Sequence, residues 1–398
     1  MIHATRLATV FLFVDALVEG RRLCSAELGR EVKGEAAEKH RIKQADRLLG
    51  NVNLHKEASL FFQAVAMSVI RSRKNPLILV DWTELPSGFW ALVAAVPFDG
   101  RSIPIYAEVH QGKKSQCARI EHAFLDHLKE KILPESCRPV IVTDAGFRNP
   151  WFKKVQRMGW FFLGRQGAKA LYVSAETSQA EREVDECWKS IATLHEQATN
   201  KPRDRGRLVV ARSNPLEARI VLFKNRPRGR KGGRNISPSS TAAKRYRKRA
   251  KDPWVLITNA THCSALDLVN WYSTRMQVEE TFRDTKSPRF GQSLEHARTH
   301  RGTYDLQTER WTVLLLLSTL ALLVATVVGA AAELLGLERR FQANTIRTRR
   351  ILSLVTLGIR LLRRGQWPPN LKRLMSNPLK ILVLHRFNRE GANFIGLT

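Results

Sequence analysis

The sequence lacks clustered cysteines. Its 398 residues include five cysteines, and no two of them form a CxxC pair. Disulfide frameworks and zinc ribbons both depend on closely spaced cysteines, so neither is predicted. The sparse pattern fits the reducing cytosol best. The five residues are Cys24, Cys117, Cys137, Cys187 and Cys263.

A secretion signal is also missing. The stretch from Met1 to Gly20 contains an apolar run, but Asp15 and Glu19 interrupt it, and no cleavage site of small residues follows. A signal peptide needs both an uninterrupted apolar segment and such a site. We therefore expect a cytoplasmic protein.

Long apolar runs are scarce, with one exception between Thr312 and Leu337. This segment has enough residues to span a bilayer. It contains Glu333, however, and the sequence has no second run of comparable length. We expect a buried core helix and no membrane partner, and a membrane span is the alternative.

Acidic residues are in short supply. Lys and Arg number 66 against 36 Asp and Glu, which gives a formal net charge of +30. A surplus of this size favours a polyanionic partner, because unneutralised cations repel one another in a compact chain. Nucleic acid is the leading candidate, since Lys and Arg displace counterions condensed on phosphates. A ribosomal or membrane-surface protein is the alternative.

Between residues 77 and 164 the pattern is typical of a mixed α/β fold. Apolar stretches predict three strands in an antiparallel meander, with a turn at Asp99-Gly100. A helix, a fourth strand, a second helix and a fifth strand follow. The first strand ends at Asp81 and the fourth at Asp144. Open α/β sheets bind ligands at the carboxyl ends of their strands. The order is that of the ribonuclease-H-like fold, in which the first and fourth strands lie side by side.

The predicted organisation has five regions. A helical DNA-binding region, 1–70, precedes the first part of a ribonuclease-H-like core, 71–165. A β-rich insertion, 166–252, separates it from the second part of the core, 253–337. A basic helical region, 338–398, follows.

The insertion contains a strongly basic segment. From Lys224 to Lys251 there are twelve basic residues and no acidic residue, with Gly, Pro and Ser between them. A disordered, solvated loop and a flexible arm that orders on DNA both fit this composition.

One long helix is predicted to begin near Ser264 and to continue beyond residue 286. A stripe roughly 60° wide, at about 100° per residue, holds Tyr272, Arg275, Glu279 and Lys286. Arg283 extends the stripe. One face therefore offers one carboxylate flanked by cations and a phenol. A salt-bridged surface is the alternative, but the apolar segment that follows favours a helix packed against the sheet.

The spacing of these residues resembles a known signature. The pattern Tyr-x2-Arg-x3-Glu-x6-Lys is the YREK signature of the DDE transposases of bacterial insertion sequences, in the IS-four group, and every spacing is kept. The surroundings of Asp81 (Val-Asp-Trp-Thr) and Asp144 (Val-Thr-Asp-Ala-Gly) also resemble that group. The resemblance covers roughly residues 75 to 335.

The resemblance implies metal-dependent chemistry on DNA. Asp81, Asp144 and Glu279 would be the catalytic residues and would hold two Mg²⁺ ions, which Mn²⁺ can replace. Glu84 is an alternative first ligand, but Asp81 follows the apolar strand directly. The implied fold is a ribonuclease-H-like core with a mixed five-stranded sheet, interrupted by a β-rich insertion and flanked by helical N- and C-terminal regions.

The resemblance also implies DNA contacts. Arg275, Lys286 and Arg283 would bind phosphates beside the scissile bond, and Tyr272 would add a hydroxyl contact. Trp254 would stack on a flipped base of a DNA hairpin, although a Trp that opens a strand is more often a core residue.

The implied partners are the terminal inverted repeats and the target, both double-stranded DNA. We expect cut-and-paste transposition by a homodimer assembled on DNA, in the bacterial cytoplasm and associated with the nucleoid. A ribonuclease-H-like nuclease without transfer activity is one alternative. A non-catalytic DNA-binding protein, descended from a decayed copy, is another.

Overall fold

The computed structural model describes residues 2–177, 181–184, 187–224, 252–287, 292–294, 304–343, 345–346 and 349–390. The chain forms two compact units, one of Met1–Cys137 with Met276–Thr398 and the other of Arg138–Arg275. Each unit combines helices with a β-sheet, which confirms the mixed α/β class. Two parts of the predicted regions lie outside the described residues. They are 225–251, which is most of the predicted basic arm, and 391–398, the last residues of the predicted basic helical region.

The first unit packs helices around a short sheet. Its strands are β1 (Leu77–Glu84), β2 (Phe89–Phe98) and β3 (Arg101–Gln111). Its helices before residue 137 are α1 (Ala4–Gly20), α2 (Ser25–Glu31), α3 (Glu38–Leu49), α4 (Val52–Ile70) and α5 (Ala118–His127). Its helices after residue 275 are α8 (Met276–Lys286), α9 (Tyr304–Leu334), α10 (Leu354–Arg364), α11 (Pro369–Met375) and α12 (Pro378–Glu390).

The sheet of the first unit is the predicted antiparallel meander. The strand order is β3-β2-β1, and β2 and β3 form a hairpin in which Phe98 pairs with Arg101. Asp99 and Gly100 form the two-residue turn, with φ values of 44° and 81°. Positive φ at both positions is what a type I′ turn requires, and Asp-Gly is a preferred sequence for it.

The second unit contains a mixed sheet. Its elements are β4 (Val140–Thr143), α6 (Asn149–Arg157), β5 (Phe161–Arg165), β6 (Leu171–Ser174), β7 (Lys189–Ser190), β8 (Arg203–Val210), β9 (Leu216–Phe223), β10 (Trp254–Thr258) and α7 (Ala265–Ser273). Strands β4 and β5 are parallel, as expected for a strand-helix-strand unit. The order continues antiparallel through β10, β9, β8, β6 and β7.

The apolar run predicted as a core helix forms most of α9. Within the described residues, the stretch Gln307–Leu334 is long and apolar enough to cross a membrane, and 89% of its most apolar window is buried inside the protein. The helix packs against β3, α1, α4 and α10. Such burial is typical of the core helix of a globular unit.

The prediction of one continuous helix from Ser264 past residue 286 is wrong. Helix α7 ends at Ser273 and α8 begins at Met276. The Thr274 hydroxyl bonds to the Trp271 carbonyl at 2.7 Å, and the Arg275 amide bonds only three residues back, to the Tyr272 carbonyl. A side-chain hydroxyl that competes for a helical carbonyl weakens the series of backbone hydrogen bonds that continues the helix. The predicted stripe is therefore divided between two helices.

The start of that region is as predicted. Ser264 is the N-cap of α7, where its hydroxyl accepts a hydrogen bond from the Asp267 amide at 3.1 Å. The Asp267 carboxylate in turn accepts from the Ser264 amide. This reciprocal pair is a capping box, which satisfies two backbone donors that the first turn leaves open.

Candidate active site

The side chain of Asp81 lies on the face of the sheet that α8 covers. Alternate residues of a strand share a face, so Asp81 and Thr83 point the same way and Trp82 points the other way. Thr83 lines a small pocket together with Thr281 and Phe282 of α8. Asp81 is partly exposed, and one of its carboxylate oxygens accepts a hydrogen bond from the Trp82 amide at 2.9 Å.

Helix α8 is attached to the sheet through one buried hydroxyl. Thr281 Oγ1 accepts hydrogen bonds from the Ser102 amide at 2.8 Å and from the Ser102 hydroxyl at 3.0 Å. The Thr281 hydroxyl also lies 3.0 Å from the Ser102 and Gln277 carbonyl oxygens, and it can donate its own hydrogen bond to either of them. Thr281 and Ser102 are both buried. These contacts fix the height and rotation of α8 on the sheet.

Glu279 lies on α8 beside residues that contact the sheet. Glu279, Phe282 and Lys286 are spaced three and four residues apart, which places them on one side of the helix. Phe282 and Lys286 line the same pocket as Thr83 of β1. Glu279 itself is partly buried and does not line that pocket.

The neighbouring carboxylates of α8 are engaged in ion pairs. Glu280 binds the guanidinium of Arg283 and lies 3.6 Å from Arg101. Arg101 also bonds to Asp284 at 2.5 Å. Burial raises the pKa of Asp284, although Arg101 opposes that shift. The predicted DNA contact Arg283 is thus an exposed residue that already has a carboxylate partner.

In the second unit, Asp144 directly follows strand β4. Its Oδ1 atom accepts a hydrogen bond from the Gly146 amide at 2.8 Å. A Cβ atom at Gly146 would lie only 2.9 Å from that same oxygen. The absence of a side chain at Gly146 therefore permits the observed position of the Asp144 carboxylate, which is partly exposed.

Tyr272 occupies a buried aromatic site in the second unit. The Trp254 ring meets it nearly edge-on, with centroids 4.9 Å apart. Burial raises the pKa of Tyr272 to about 12, although a hydrogen bond with Arg275 opposes the shift. Asp144 and Arg165 also act on this phenol electrostatically. The hydroxyl is therefore neutral, and able to donate, at any pH near neutrality.

The predicted residues thus fall into two groups. Asp81, Glu279 and Lys286 belong to the first unit, as does Arg283, which is exposed on the same helix as Glu279. The second unit brings together Asp144, Tyr272, Arg275 and Trp254. The division between the groups falls between Arg275 and Met276, inside the Tyr272–Lys286 motif. The individual roles assigned to these residues stay predictions.

A family model for the transposase DDE domain matches residues 72–318. The match covers more than half of the chain and includes all three predicted carboxylates and the whole of the Tyr272–Lys286 motif. The chain belongs to the transposase DDE domain family. The protein is therefore a DDE transposase, an enzyme of the class that cleaves and joins DNA strands. Enzymes of this family bind DNA and use divalent metal ions.

Other comparisons add little. No curated protein matches the transposase in sequence. Among solved structures, the cryo-EM structure of the piggyBac transposase synaptic complex with hairpin DNA is similar with a TM-score of 0.38 and 10% identity. The similarity covers 96% of this chain and 78% of that one. At that distance it informs neither fold nor mechanism.

The predicted carboxylates suit the metal ions that the family uses. Asp81, Asp144 and Glu279 offer oxygen ligands alone, which hard divalent cations such as Mg²⁺ prefer. All three side chains are partly exposed, so none is closed off from a ligand. This donor set fits the implied ions.

A second group of potential ligands was not predicted from the sequence. Asp99, Glu333 and His385 present ligand atoms within 4.8 Å of one another. Arg350 binds both carboxylates, with Nε 3.0 Å from a Glu333 oxygen, and His385 lies 2.6 Å from the other Glu333 oxygen. A guanidinium already neutralises these acids, so the group does not fit a divalent cation.

Several positioning residues were also missed. Thr281 and Gly146 hold the carboxylate-bearing elements, yet a threonine within a helix and a glycine after a strand are common in any fold. Ser102 lies 179 residues from Thr281 in the chain. Only an observed fold connects positions so far apart. The Gly146 signal was weaker still, since a glycine in a loop usually marks a turn.

Replacement of Thr281 by Val tests the attachment of α8. Valine keeps the shape but removes the hydroxyl, so the buried Ser102 amide loses its acceptor. We expect a loss of about 1–3 kcal/mol in the free energy of unfolding, measured by urea denaturation.

Thr312→Val is the matched control, because the Thr312 hydroxyl bonds only to the Thr308 carbonyl of its own helix. This variant should lose much less stability than Thr281→Val. Equal losses in the two variants would contradict the role assigned to Thr281.

Proposed function

We propose that this transposase binds the terminal inverted repeats of an insertion sequence and moves the element by cut-and-paste. The observation that carries the proposal is the family match over residues 72–318, which includes Asp81, Asp144 and Glu279 together with the complete motif from Tyr272 to Lys286. The proposed course is cleavage at each end through a DNA hairpin, followed by strand transfer into target DNA.

In this proposal the three carboxylates hold two Mg²⁺ ions, or Mn²⁺ in their place. Bound ions would supply Lewis-acid chemistry at the scissile phosphate. The attack and departure of oxygens in line at phosphorus require all three side chains to act on one phosphate. A ribonuclease-H-like core meets this requirement, because it places the ends of its first and fourth strands side by side.

The basic and aromatic side chains have proposed roles in holding DNA. Arg275 and Lys286 would bind phosphates next to the scissile bond, and the neutral Tyr272 hydroxyl would donate to a phosphate oxygen. Arg283 would exchange its Glu280 partner for a phosphate. Trp254 is partly buried and would offer its remaining surface to a flipped base.

The proposed division of labour follows the five predicted regions. The helices of 1–70 and the basic insertion 166–252 would contact duplex DNA, while 71–165 and 253–337 would form the catalytic core. The basic region 338–398 would add further contacts. Two ends must be cut together, so we propose a homodimer on DNA, working in the bacterial cytoplasm at the nucleoid without a membrane partner.

Two alternative functions are distinguished by experiment. A ribonuclease-H-like nuclease would cut DNA without joining it to a target. A catalytically decayed copy would bind the element end but would not cut it. The presence of all three acids in the matched region favours an active enzyme over the decayed copy.

Glu279→Gln tests the proposed catalytic site, with Glu280→Gln as its matched control. The substrate is a duplex carrying the element's own end, with Mg²⁺. Glu279→Gln should lower cleavage at the element boundary by about a hundredfold or more, because a metal ligand is lost. Binding of the end should persist. Glu280→Gln should cut nearly as well as the parent, since Glu280 pairs with Arg283 and Arg101.

Other results would identify other functions. Equal cleavage by the parent and Glu279→Gln would show that Glu279 is misassigned and that its helix face is a salt-bridged surface. End binding without cleavage by the parent would favour the decayed copy. Cleavage without joining to target DNA would favour the nuclease.

Gly146→Ala tests the positioning of Asp144. The new Cβ would displace the carboxylate oxygen that lies 2.9 Å away, while the backbone can accept alanine. We expect unfolding free energy to change by less than about 0.5 kcal/mol and cleavage to fall by roughly tenfold to a hundredfold, with a higher Mg²⁺ concentration needed for half-maximal rate.

Gly167→Ala serves as the control, because nothing lies within 4 Å of a Cβ at that position. It should cut like the parent. Parental cleavage and Mg²⁺ dependence in Gly146→Ala would show that the position of this carboxylate does not matter.

A further inference from the structure

Five arginines line one pocket of the first unit, and its lining includes none of the predicted carboxylates or YREK residues. The pocket has a volume of about 790 Å³. Three separate elements supply its cations, namely the residue after α1, the short helical turn Leu337–Phe341 and helix α10. We call it the arginine pocket, and its arginines are Arg21, Arg340, Arg360, Arg363 and Arg364.

The cations of the arginine pocket have no acidic partner within the part of the chain that the structure describes. Within the described residues, none of the five forms an ion pair with a carboxylate. Arg360 donates to the Phe341 carbonyl at 3.3 Å, and Arg364 stacks on the Phe341 ring with its central carbon 4.6 Å from the centroid. Both contacts orient a guanidinium and leave its charge in place.

Arg21 is the most enclosed of the five. Its Nε atom is buried and has no hydrogen-bond partner among the described residues. Burial lowers the pKa of Arg21, and the positive charges of Arg363 and Arg360 lower it further, while Asp284 opposes them. A buried donor without an acceptor is costly, so this position is arranged for an acceptor that comes from outside.

The adjacent pocket shows the opposite arrangement. It shares Gln342 with the arginine pocket and also contains arginines. There, however, Arg101 pairs with Asp284, Arg350 with Asp99 and Glu333, and Arg339 with Glu338 at 3.8 Å. Within the described residues, three of the four arginines of the adjacent pocket are therefore paired, with Arg349 the exception, whereas none of the five in the arginine pocket is.

Helix stability alone does not explain the cluster. Arg363 and Arg364 lie in the last turn of α10, where cations favour the helix dipole. Arg21 is the C-cap residue of α1 and Arg340 lies in the last turn of Leu337–Phe341, so each also lies near a helix C-terminus. Their approach to α10 nevertheless adds repulsion between cations, which none of these dipoles explains. Arg340, Arg360, Arg363 and Arg364 are exposed, so solvent screens part of their repulsion. A bound anion would offset the rest and would be attracted by all five cations.

The backbone that carries the pocket is held rigidly. Helix α10 crosses α9 so closely that a Cβ at Gly358 would lie 1.8 Å from the Ala325 carbonyl oxygen, and one at Gly329 2.0 Å from that of Leu354. The apolar face of α10 is buried in this contact. The opposite face therefore presents Arg360 and Arg363 from a fixed position, which reduces the ordering cost of binding.

We propose that the arginine pocket binds phosphate groups of the duplex DNA backbone. Guanidinium groups match phosphate oxygens in geometry and charge. A pocket of this volume admits a phosphate and its flanking sugars. Phe341 lines it with an apolar surface. Because phosphate contacts carry no sequence information, the pocket holds DNA of any sequence. The choice of DNA over another phosphate source rests on the proposed function.

The test measures binding of the full-length chain to a fluorescent duplex of arbitrary sequence, without divalent metal, over a range of salt concentrations. Each phosphate contact contributes roughly 0.9 to the slope of log affinity against log salt. Arg363→Gln should lower the slope by about 1 and weaken binding about tenfold at the lowest salt. The double variant with Arg340→Gln and Arg363→Gln should lower the salt slope by about 2.

Arg339→Gln is the matched control. It removes the same charge from the same short helical turn as Arg340, but Arg339 is exposed and pairs with Glu338. Its slope should stay within experimental error of the parental value. All variants should unfold at the parental temperature. Equal slopes for Arg363→Gln and Arg339→Gln would overturn the proposal.

Two further outcomes separate the phosphate sources and the two proposals. Stabilisation of the parent by inorganic phosphate, lost in Arg363→Gln while duplex binding is unchanged, would assign the pocket to a small phosphate ligand and overturn the DNA assignment. The parent could instead bind the duplex with the expected salt slope, with that slope reduced in the variants, and yet never cut DNA. This result would refute the proposed transposition while the pocket assignment stands.

Discussion

The hydrogen bonds between Thr281 and Ser102 are the constraint on which the candidate site of the first unit depends. Asp81 is fixed by the sheet, because it belongs to a strand that pairs with β2 from Leu79 to Glu84. Glu279 belongs to a helix that could slide or rotate on an apolar surface. A buried hydroxyl that must meet one backbone amide allows a single position. The position of the helix that carries Glu279 is thereby fixed on the sheet that carries Asp81.

Charge is distributed so that structure and DNA binding use different arginines. Arg101 and Arg350 form ion pairs that hold helices to the hairpin turn and sheet. The arginines of the arginine pocket have no such partners among the described residues. Part of the net charge of +30 is therefore concentrated in the arginine pocket, where the described residues supply no acidic partner.

Local patterns predicted much of the fold. The order of strands and helices from β1 to β5 followed from apolar stretches, the β2–β3 hairpin from Asp99-Gly100, and the start of α7 from Ser264. The helix break at Thr274 was missed because helical periodicity alone does not show when a threonine hydroxyl takes a carbonyl from the ladder. The Thr281–Ser102 contact and the gathering of Arg21 with α10 were not predictable, since each joins segments far apart in sequence.

Asp81, Asp144 and Glu279 are proposed to act together on metal ions. Main-chain cleavage of the transposase itself by Fe²⁺ tests this directly. Fe²⁺ is supplied in place of Mg²⁺ with ascorbate and peroxide, and the hydroxyl radicals formed cut the polypeptide close to the bound metal. Fragments that end near residues 81, 144 and 279 are expected, and they should disappear with excess Mg²⁺. Cuts near residues 99, 333 and 385 instead would contradict this proposal and would place the metal at the group that Arg350 neutralises.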